Sequence, residues 1–280
     1  MSVGPAVIAA AAARLRAAGC VFADDEARLL AAEASTATDL AAMVDRRAAG
    51  LPLEHVVGWA EFCGLRIAVS PGVFVPRRRS ELLVREATAV ATGRRRRPGR
   101  GMQRPVRPVI VDLCCGSGAI GVAVVTAHGG ADLHAADIDP AAVACARKNV
   151  SAVGGHVYEG DLFGPLPAEL RGRVDVLAVN APYVPTAEIA LMPAEARLYE
   201  PATALDGGSD GVAIHRRVAA DARSWLAPRG RLLIETSARQ AELTAAAIRD
   251  SGLAATVISD DDLGATVVAG SPREHAQRAG

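Results

Sequence analysis

Lysine is almost absent from this 280-residue chain, where Lys148 is the only one among 31 basic residues, and aromatic residues make up just 3% of it. The 31 acidic residues balance the basic ones to a formal net charge of zero. That balance excludes a surface dominated by nucleic-acid electrostatics, although a local basic patch fits inside a neutral total. Three tyrosines and two tryptophans also leave little for stacking on bases. The preference for arginine accompanies an abundance of alanine, so it reads as GC-rich coding and not as guanidinium chemistry. The five cysteines (Cys20, Cys63, Cys114, Cys115, Cys145) are odd in number and lack Cys-x-x-Cys spacing or a nearby histidine set. Zinc, other metal centres and a disulfide framework are therefore not expected, and a reducing cytoplasm fits best. No stretch has the roughly 18 uncharged apolar residues of a spanning helix. The opening run MSVGPAVIAAAAARLRAAGC lacks a basic leader and is interrupted by Arg14 and Arg16, so it reads as a soluble helix and not a signal segment.

What is present suits a globular protein: half of the residues are hydrophobic and 22% are charged. The length predicts one full-sized α/β domain with a small appendage. Residues 1–50 read as a helical domain: an alanine-rich helix to about Ala18, a second opened by Asp24 as N-cap with Leu29 and Leu30 inside, and a third from Asp39 to Gly50. Residues 51–92 form a connector, short apolar runs broken by Gly58, Gly64, Pro71, Gly72 and Pro76, which predicts a β-hairpin and then a helix from Ser80. Residues 93–108, GRRRRPGRGMQRPVRP, carry seven arginines among prolines and glycines and read as a flexible loop. Apart from a contact of that loop with RNA through phosphate neutralisation, nothing here favours a nucleic-acid partner.

From residue 109 to 272 strand-like runs alternate with helix-like runs, which predicts a parallel, doubly wound sheet; 273–280 is a tail. The last two strands, ATVIS and ATVVAG, are separated by a short loop around Asp260 to Gly264 and should pair antiparallel at one edge. Such a finish distinguishes a methyltransferase sheet of seven strands, Rossmann-like with an antiparallel last strand, from an ordinary dinucleotide-binding one.

Acids follow three successive strands. The first strand ends in Asp112-Leu113-Cys114-Cys115-Gly116-Ser117-Gly118 and enters a helix, so a ligand can approach the backbone at its carboxyl end. One βα unit later LHAAD ends in Asp137, placed to accept from ribose hydroxyls; the bland alternative is a helix cap before Pro140. Asp161, in EGDLFG, can accept from an adenine amino group while the backbone at Leu162 meets the ring. No Walker sequence or phosphate-binding lysine accompanies them, so the nucleoside implied carries no polyphosphate, and S-adenosylmethionine is the natural candidate. The fourth strand ends in Asn180-Ala181-Pro182-Tyr183. The Asn180 side-chain carbonyl and the Ala181 main-chain carbonyl can accept both hydrogens of a planar NH2 group, and Tyr183 can wall it in. The alternative is a turn shaped by Pro182 with a structural asparagine.

These motifs resemble the HemK/PrmC family of protein-(glutamine-N5) methyltransferases, which modify peptide chain release factors. The resemblance covers roughly residues 52–270 and includes PLEHVVGWAEFCGLRIAVSPGVFVPR and ARLYEPATALDGGSDGVAIHRRV. It implies a class I S-adenosylmethionine-dependent methyltransferase fold behind a substrate-docking helical domain. It also implies that Asp112, Cys114, Gly116 and Gly118 form the cofactor loop, Asp137 holds ribose and Asp161 faces adenine. Asn180 and Ala181 then hold a glutamine amide beside Tyr183, and Glu200-Pro201 support the substrate pocket. The chain departs from the family in three places. Ala181 replaces the first proline of Asn-Pro-Pro-Tyr, keeping the carbonyl and losing the ring that presets φ. Cys114 replaces a glycine, which requires a negative φ there. VPRRRSE keeps Arg77 of the family's Ile-Pro-Arg-Pro-Glu-Thr-Glu segment and differs in the residues after it. Two other readings stay open at this point. One is an N6-adenine or other nucleic-acid amino methyltransferase, since similar loops hold a flipped base; the other is a non-catalytic S-adenosylmethionine-binding protein.

Overall fold

The computed structural model describes residues 4–95, 107–192 and 194–273. Three helices open it: α1 (Pro5–Ala17), α2 (Ala23–Glu33) and α3 (Ala37–Ala48). Their common core is Leu15, Leu30, Leu40 and Val44 among buried alanines, whose small side chains let the helices approach closely. Buried Glu26 is held across that core by Arg47 at 2.7 and 3.2 Å. Two helix starts differ from expectation. Asp24 is not the N-cap of α2: Phe22 stands there without a side-chain cap, and Asp24 lies in the first turn, where the helix dipole favours a carboxylate, paired with Arg16 at 2.6 Å. For α3 the cap is Thr36, whose hydroxyl accepts from the Asp39 N–H at 3.0 Å, so the helix begins two residues before Asp39.

A short helix, α4 (Leu53–Val57), which the apolar pattern did not suggest, leads into the hairpin β1 (Trp59–Phe62) and β2 (Leu65–Ala68). Cys63 and Gly64 make the two-residue turn, both with positive φ (52° and 73°), the conformation whose twist matches that of the strands. A 3-10 turn at Arg78–Ser80 then opens α5 (Glu81–Arg95), so the stretch expected to loop from residue 93 is helical for its first three residues. The rest of the arginine-rich loop, residues 96–106, lies outside the described residues, as does the tail from residue 274.

The α/β part continues in the expected alternation: β3 (Val109–Leu113), α6 (Ala119–His128), β4 (Asp132–Asp137), α7 (Pro140–Val150), β5 (His156–Glu159), β6 (Val174–Val179), α8 (Ala194–Tyr199), α9 (Ala213–Trp225), β7 (Leu226–Thr236), α10 (Ala241–Asp250), β8 (Leu253–Asp260) and β9 (Ala265–Pro272). The sheet runs β5-β4-β3-β6-β7-β9-β8. Six strands run in one direction, β5-β4-β3-β6-β7 as parallel neighbours and β8 at the edge, and only the last, β9, is antiparallel to both its neighbours. It inserts between β7 and β8, a placement that strand patterning alone does not dictate. β3 and β6 are buried along their whole length, as expected for central parallel strands covered on both faces. One face packs on α5 and α6, and the other on α9 and α10, where Trp225 stacks on Phe163 at 5.3 Å. Strand order reverses between β3 and β6, which opens a crevice beyond their carboxyl ends.

Candidate active site

That crevice is a cavity of about 760 Å³, walled by the loops that follow β3, β4, β5 and β6 and rimmed by residues 200–206. Of the predicted residues, Cys114, Gly116, Asp137, Asp161, Leu162, Asn180, Ala181, Pro182, Tyr183, Glu200 and Pro201 all line it. Asp112 and Gly118 do not. Asp112 lies fully buried beneath the loop, where its Oδ2 accepts from the Gly121 N–H at 2.9 Å and its Oδ1 has no partner among the described residues. Burial pushes its carboxyl up to about 7 despite that N–H, with nearby Asp137 adding to the rise. Gly118 begins α6 with φ 76°, and a side chain there would meet Val150 Cγ2 at 2.7 Å. Both shape the wall from behind.

Cys114 overturns the requirement of a negative φ: it sits at +55°. The loop turns sharply here, bringing the Cys115 N–H to Ala136 O at 3.1 Å and the Gly118 N–H to Cys115 O at 2.7 Å, and those bonds hold a conformation that costs roughly 1–2 kcal/mol without glycine. Its half-buried side chain packs against the same core cluster as Leu162, which is also left-handed at 48°. Burial, followed by Asp137, Asp112 and Asp161, pushes the Cys114 thiol well above its ordinary value. Asp137, Asp112 and Asp161 thus all stand near the loop, with Arg217 opposing them.

Asp137 ends β4 with Oδ2 on the Gly116 N–H at 2.8 Å and Oδ1 on the Asp139 N–H at 2.9 Å. These bonds fix the carboxylate and tie two strand-end loops together. The cap of α7 is Asp139, which accepts from the Ala141 N–H at 2.8 Å, so Asp137 is not the helix cap of the bland alternative. Next to it Ile138 extends an apolar side chain, 58% exposed, along the cavity wall; sequence reasoning missed it. Asp161 pairs through Oδ2 with Arg217 of α9 at 2.5 Å, a partner that only the fold brings near.

Asn180 follows β6 and donates through Nδ2 to the Ser80 hydroxyl at 3.3 Å. Ala181 is buried, and the following residues are clamped from behind. The Gln240 amide donates to Tyr183 O at 2.7 Å, and the Val184 N–H donates to Leu205 O at 2.9 Å. Gly211 approaches so closely that a Cβ would stand 2.4 Å from Tyr183 O. The run LDGGSDG thus backs the Asn180–Tyr183 loop, which explains why its small residues are needed. Burial pushes the Tyr183 hydroxyl up to about 12, and Arg79 lies over its ring at 5.6 Å. Glu200 is buried at the rim and paired with Arg77, linking the segment before α5 to the one after α8. Two further residues escaped the sequence reading. Asn149 joins the hairpin to the first loop, its amide bonding Ala68 N and O at 2.9 Å each and Ser117 O at 2.8 Å. Glu235 lies buried behind Ser80 at the end of β7.

Comparison with known proteins places this geometry. Residues 100–208 match the Methyltransferase small domain family. The release factor glutamine methyltransferase of Bifidobacterium longum is 37% identical over 240 residues, covering 80% of this chain and 78% of that protein. The chain belongs to the release factor glutamine methyltransferase family. Another member, from Gloeobacter violaceus, is 40% identical over 206 residues, 72% of this chain and 67% of its own. The match to the Geobacter sulfurreducens member, 37% identical, spans 71% of this chain and 66% of that one. Among solved structures, the T. thermophilus 16S rRNA methyltransferase in complex with AdoMet and guanosine aligns with a TM-score of 0.51 at 20% identity, over 77% of this chain and 50% of that one, a likeness of fold. The family's fold is the class I S-adenosylmethionine-dependent one, and its cofactor is S-adenosylmethionine. The cavity fits that cofactor. A Cβ on Gly116 (φ 54°) would meet only open space, so bare backbone faces the cavity; Ile138 offers an apolar surface; and the carboxylates of Asp137 and Asp161 line the same space, which suits a cation. Among the described residues no helix is long and apolar enough to cross a membrane.

Proposed function

We propose that this family member transfers a methyl group from S-adenosylmethionine to the side-chain amide nitrogen, N5, of a glutamine in a protein, with a peptide chain release factor as substrate, in the cytoplasm. The observation that carries the reading is that Asn180, Ala181 and Tyr183 share one cavity with Asp137. Acceptors for a planar NH2 group and a carboxylate for a ribose therefore open onto the same space.

When bound, S-adenosylmethionine supplies an electrophilic methyl on a sulfonium. The chain's own residues supply position. Asp137 holds the ribose hydroxyls, Asp161 receives the adenine amino group through the oxygen that Arg217 does not take, and the backbone at Leu162 meets the ring. Cys114, Gly116 and Ser117 present backbone to the remaining chain of the nucleoside. Asn180 Oδ1 and the Ala181 carbonyl accept the two hydrogens of the glutamine amide, while Tyr183 and Pro182 confine its plane. An amide nitrogen is a weak nucleophile, so fixing it in line with the methyl is where these residues lower the barrier. The methylated nitrogen would be acidic and would lose its proton to water. No strong base is needed, and Tyr183, held neutral by its raised pKa, is not one. Glu200 and Pro201 support the rim over the substrate.

The test is incubation of the purified chain with a purified release factor and methyl-labelled cofactor, followed by mass spectrometry of the peptides. One glutamine should carry the label. Absence of label from the factor and from every protein of a whole lysate overturns the reading.

A further inference from the structure

We propose that Glu235 and Ser80 form a relay that fixes which way the Asn180 amide faces, making both of them positioning residues for methyl transfer. The proposal rests on the role given above to Asn180. An asparagine amide is nearly symmetric in shape, and its two orientations present opposite chemistry. With Oδ1 toward the cavity it accepts from a substrate NH2; reversed, it sets donor against donor.

Asn180 Nδ2 donates to Ser80 Oγ at 3.3 Å. That bond alone does not decide the orientation, because a serine hydroxyl can as well donate to Oδ1. Glu235 removes the ambiguity. Val179 and Ile234 are register partners on adjacent parallel strands, so the next residues, Asn180 just past β6 and Glu235 still within β7, stand side by side with Ser80 close to both. A carboxylate only accepts, so a Ser80 hydroxyl turned toward it gives it the proton and leaves Ser80 only lone pairs to offer Asn180. Bulk water hardly reaches the pair, since Ser80 and Glu235 are each 1% exposed. Neither Glu235 oxygen has a hydrogen-bond partner among the described residues, so both are open to the Ser80 proton; Arg79 Nε stands 3.4 Å from Oε1, and Ser80 and Arg79 are the groups that favour the charged form. The charged and titratable groups facing it are Arg79, from the turn before α5, and Tyr183, from the loop after β6.

Burial raises the Glu235 carboxyl above its ordinary value, and protonation turns the relay off. A protonated Glu235 can donate to Ser80, whose hydroxyl is then free to turn to Oδ1 and let Asn180 reverse. Turnover should fall on the acid side with this titration while cofactor affinity stays constant.

Kinetics and side-chain NMR of Ser80→Ala, Ser80→Thr and Glu235→Gln test this. Ser80→Ala should lower kcat about tenfold, the worth of one buried hydrogen bond, with KM for protein and cofactor within about twofold. Ser80→Thr, which keeps the hydroxyl, should restore kcat, and Glu235→Gln should lose the acid limb of the kcat profile. In the wild type the Asn180 side-chain NH2 resonances, assigned by their loss in Asn180→Ala, should move with the Glu235 titration; in Glu235→Gln they should not. Resonances indifferent to pH in the wild type, full kcat in Ser80→Ala, or a loss that threonine does not restore overturns the relay. A wild type that methylates no glutamine overturns the functional reading instead, and the NMR titration then decides the relay by itself.

Discussion

Asp112→Asn isolates the cost of a buried charge at the base of the site. The carboxyl stands at 0% exposure with one oxygen on the Gly121 N–H and the other without a partner among the described residues, and its pKa is pushed from 3.8 up to about 7. In the unfolded chain it loses its proton near the ordinary value; in the folded chain it keeps it until about 7. Between those values the folded state binds more protons, so stability falls as pH rises through the window and levels off above it. At about 1.36 kcal/mol per unit the loss is at most about 4 kcal/mol, and local relaxation trims it. Asparagine keeps an acceptor for Gly121 and places an NH2 where the neutral acid places its unpartnered O–H, so near pH 5 the two proteins should be alike. At pH 8 only the wild type carries the charge. With roughly 2–4 °C per kcal/mol for a domain of this size, the substituted protein should melt at least about 4 °C above the wild type at pH 8 and within about 2 °C of it at pH 5. Calorimetry of the cofactor-free proteins at constant ionic strength measures both. Equal separation at the two pH values, or a lower melting point for Asp112→Asn at pH 8, refutes the argument.

Other substitutions probe the remaining parts of the site. Gly118→Ala adds a Cβ at 2.7 Å from Val150 Cγ2 in a left-handed position, so urea unfolding should show a loss of roughly 2–4 kcal/mol. Asp137→Asn sets an NH2 against one of the two N–H groups the carboxylate now receives; titration calorimetry should show cofactor affinity reduced about 10- to 100-fold. Tyr183→Phe should keep kcat within about twofold, because the role assigned to the ring is steric, whereas Tyr183→Ala should lower it about tenfold or more by loosening the amide.

Long-range contacts divide what the sequence discloses from what it hides. The strand and helix alternation after residue 109 is legible because buried parallel strands are short apolar runs between amphipathic stretches. Asp137 and Asn180 are legible because strand ends in such a sheet are where ligands sit. By contrast, Ser80, Asn149 and Glu235 act across separations that no local pattern spans: Asn149 reaches back to Ala68, and Asn180 to Ser80. Glu235 is simply the polar end of a strand until the sheet sets it next to Asn180. Asp24 and Cys114 show the limit of local rules, since helix packing placed the first inside its helix and loop hydrogen bonds forced the second into a left-handed conformation.

The central claim, that two carbonyls grip both hydrogens of the target nitrogen, is tested most directly by how far methylation goes. Intact-mass spectrometry should follow a glutamine peptide incubated to exhaustion with excess cofactor. A nitrogen that has gained one methyl has a single hydrogen left and cannot satisfy both Asn180 and Ala181, so the account predicts a product that stops at one methyl group. Accumulation of a dimethylated amide would contradict it.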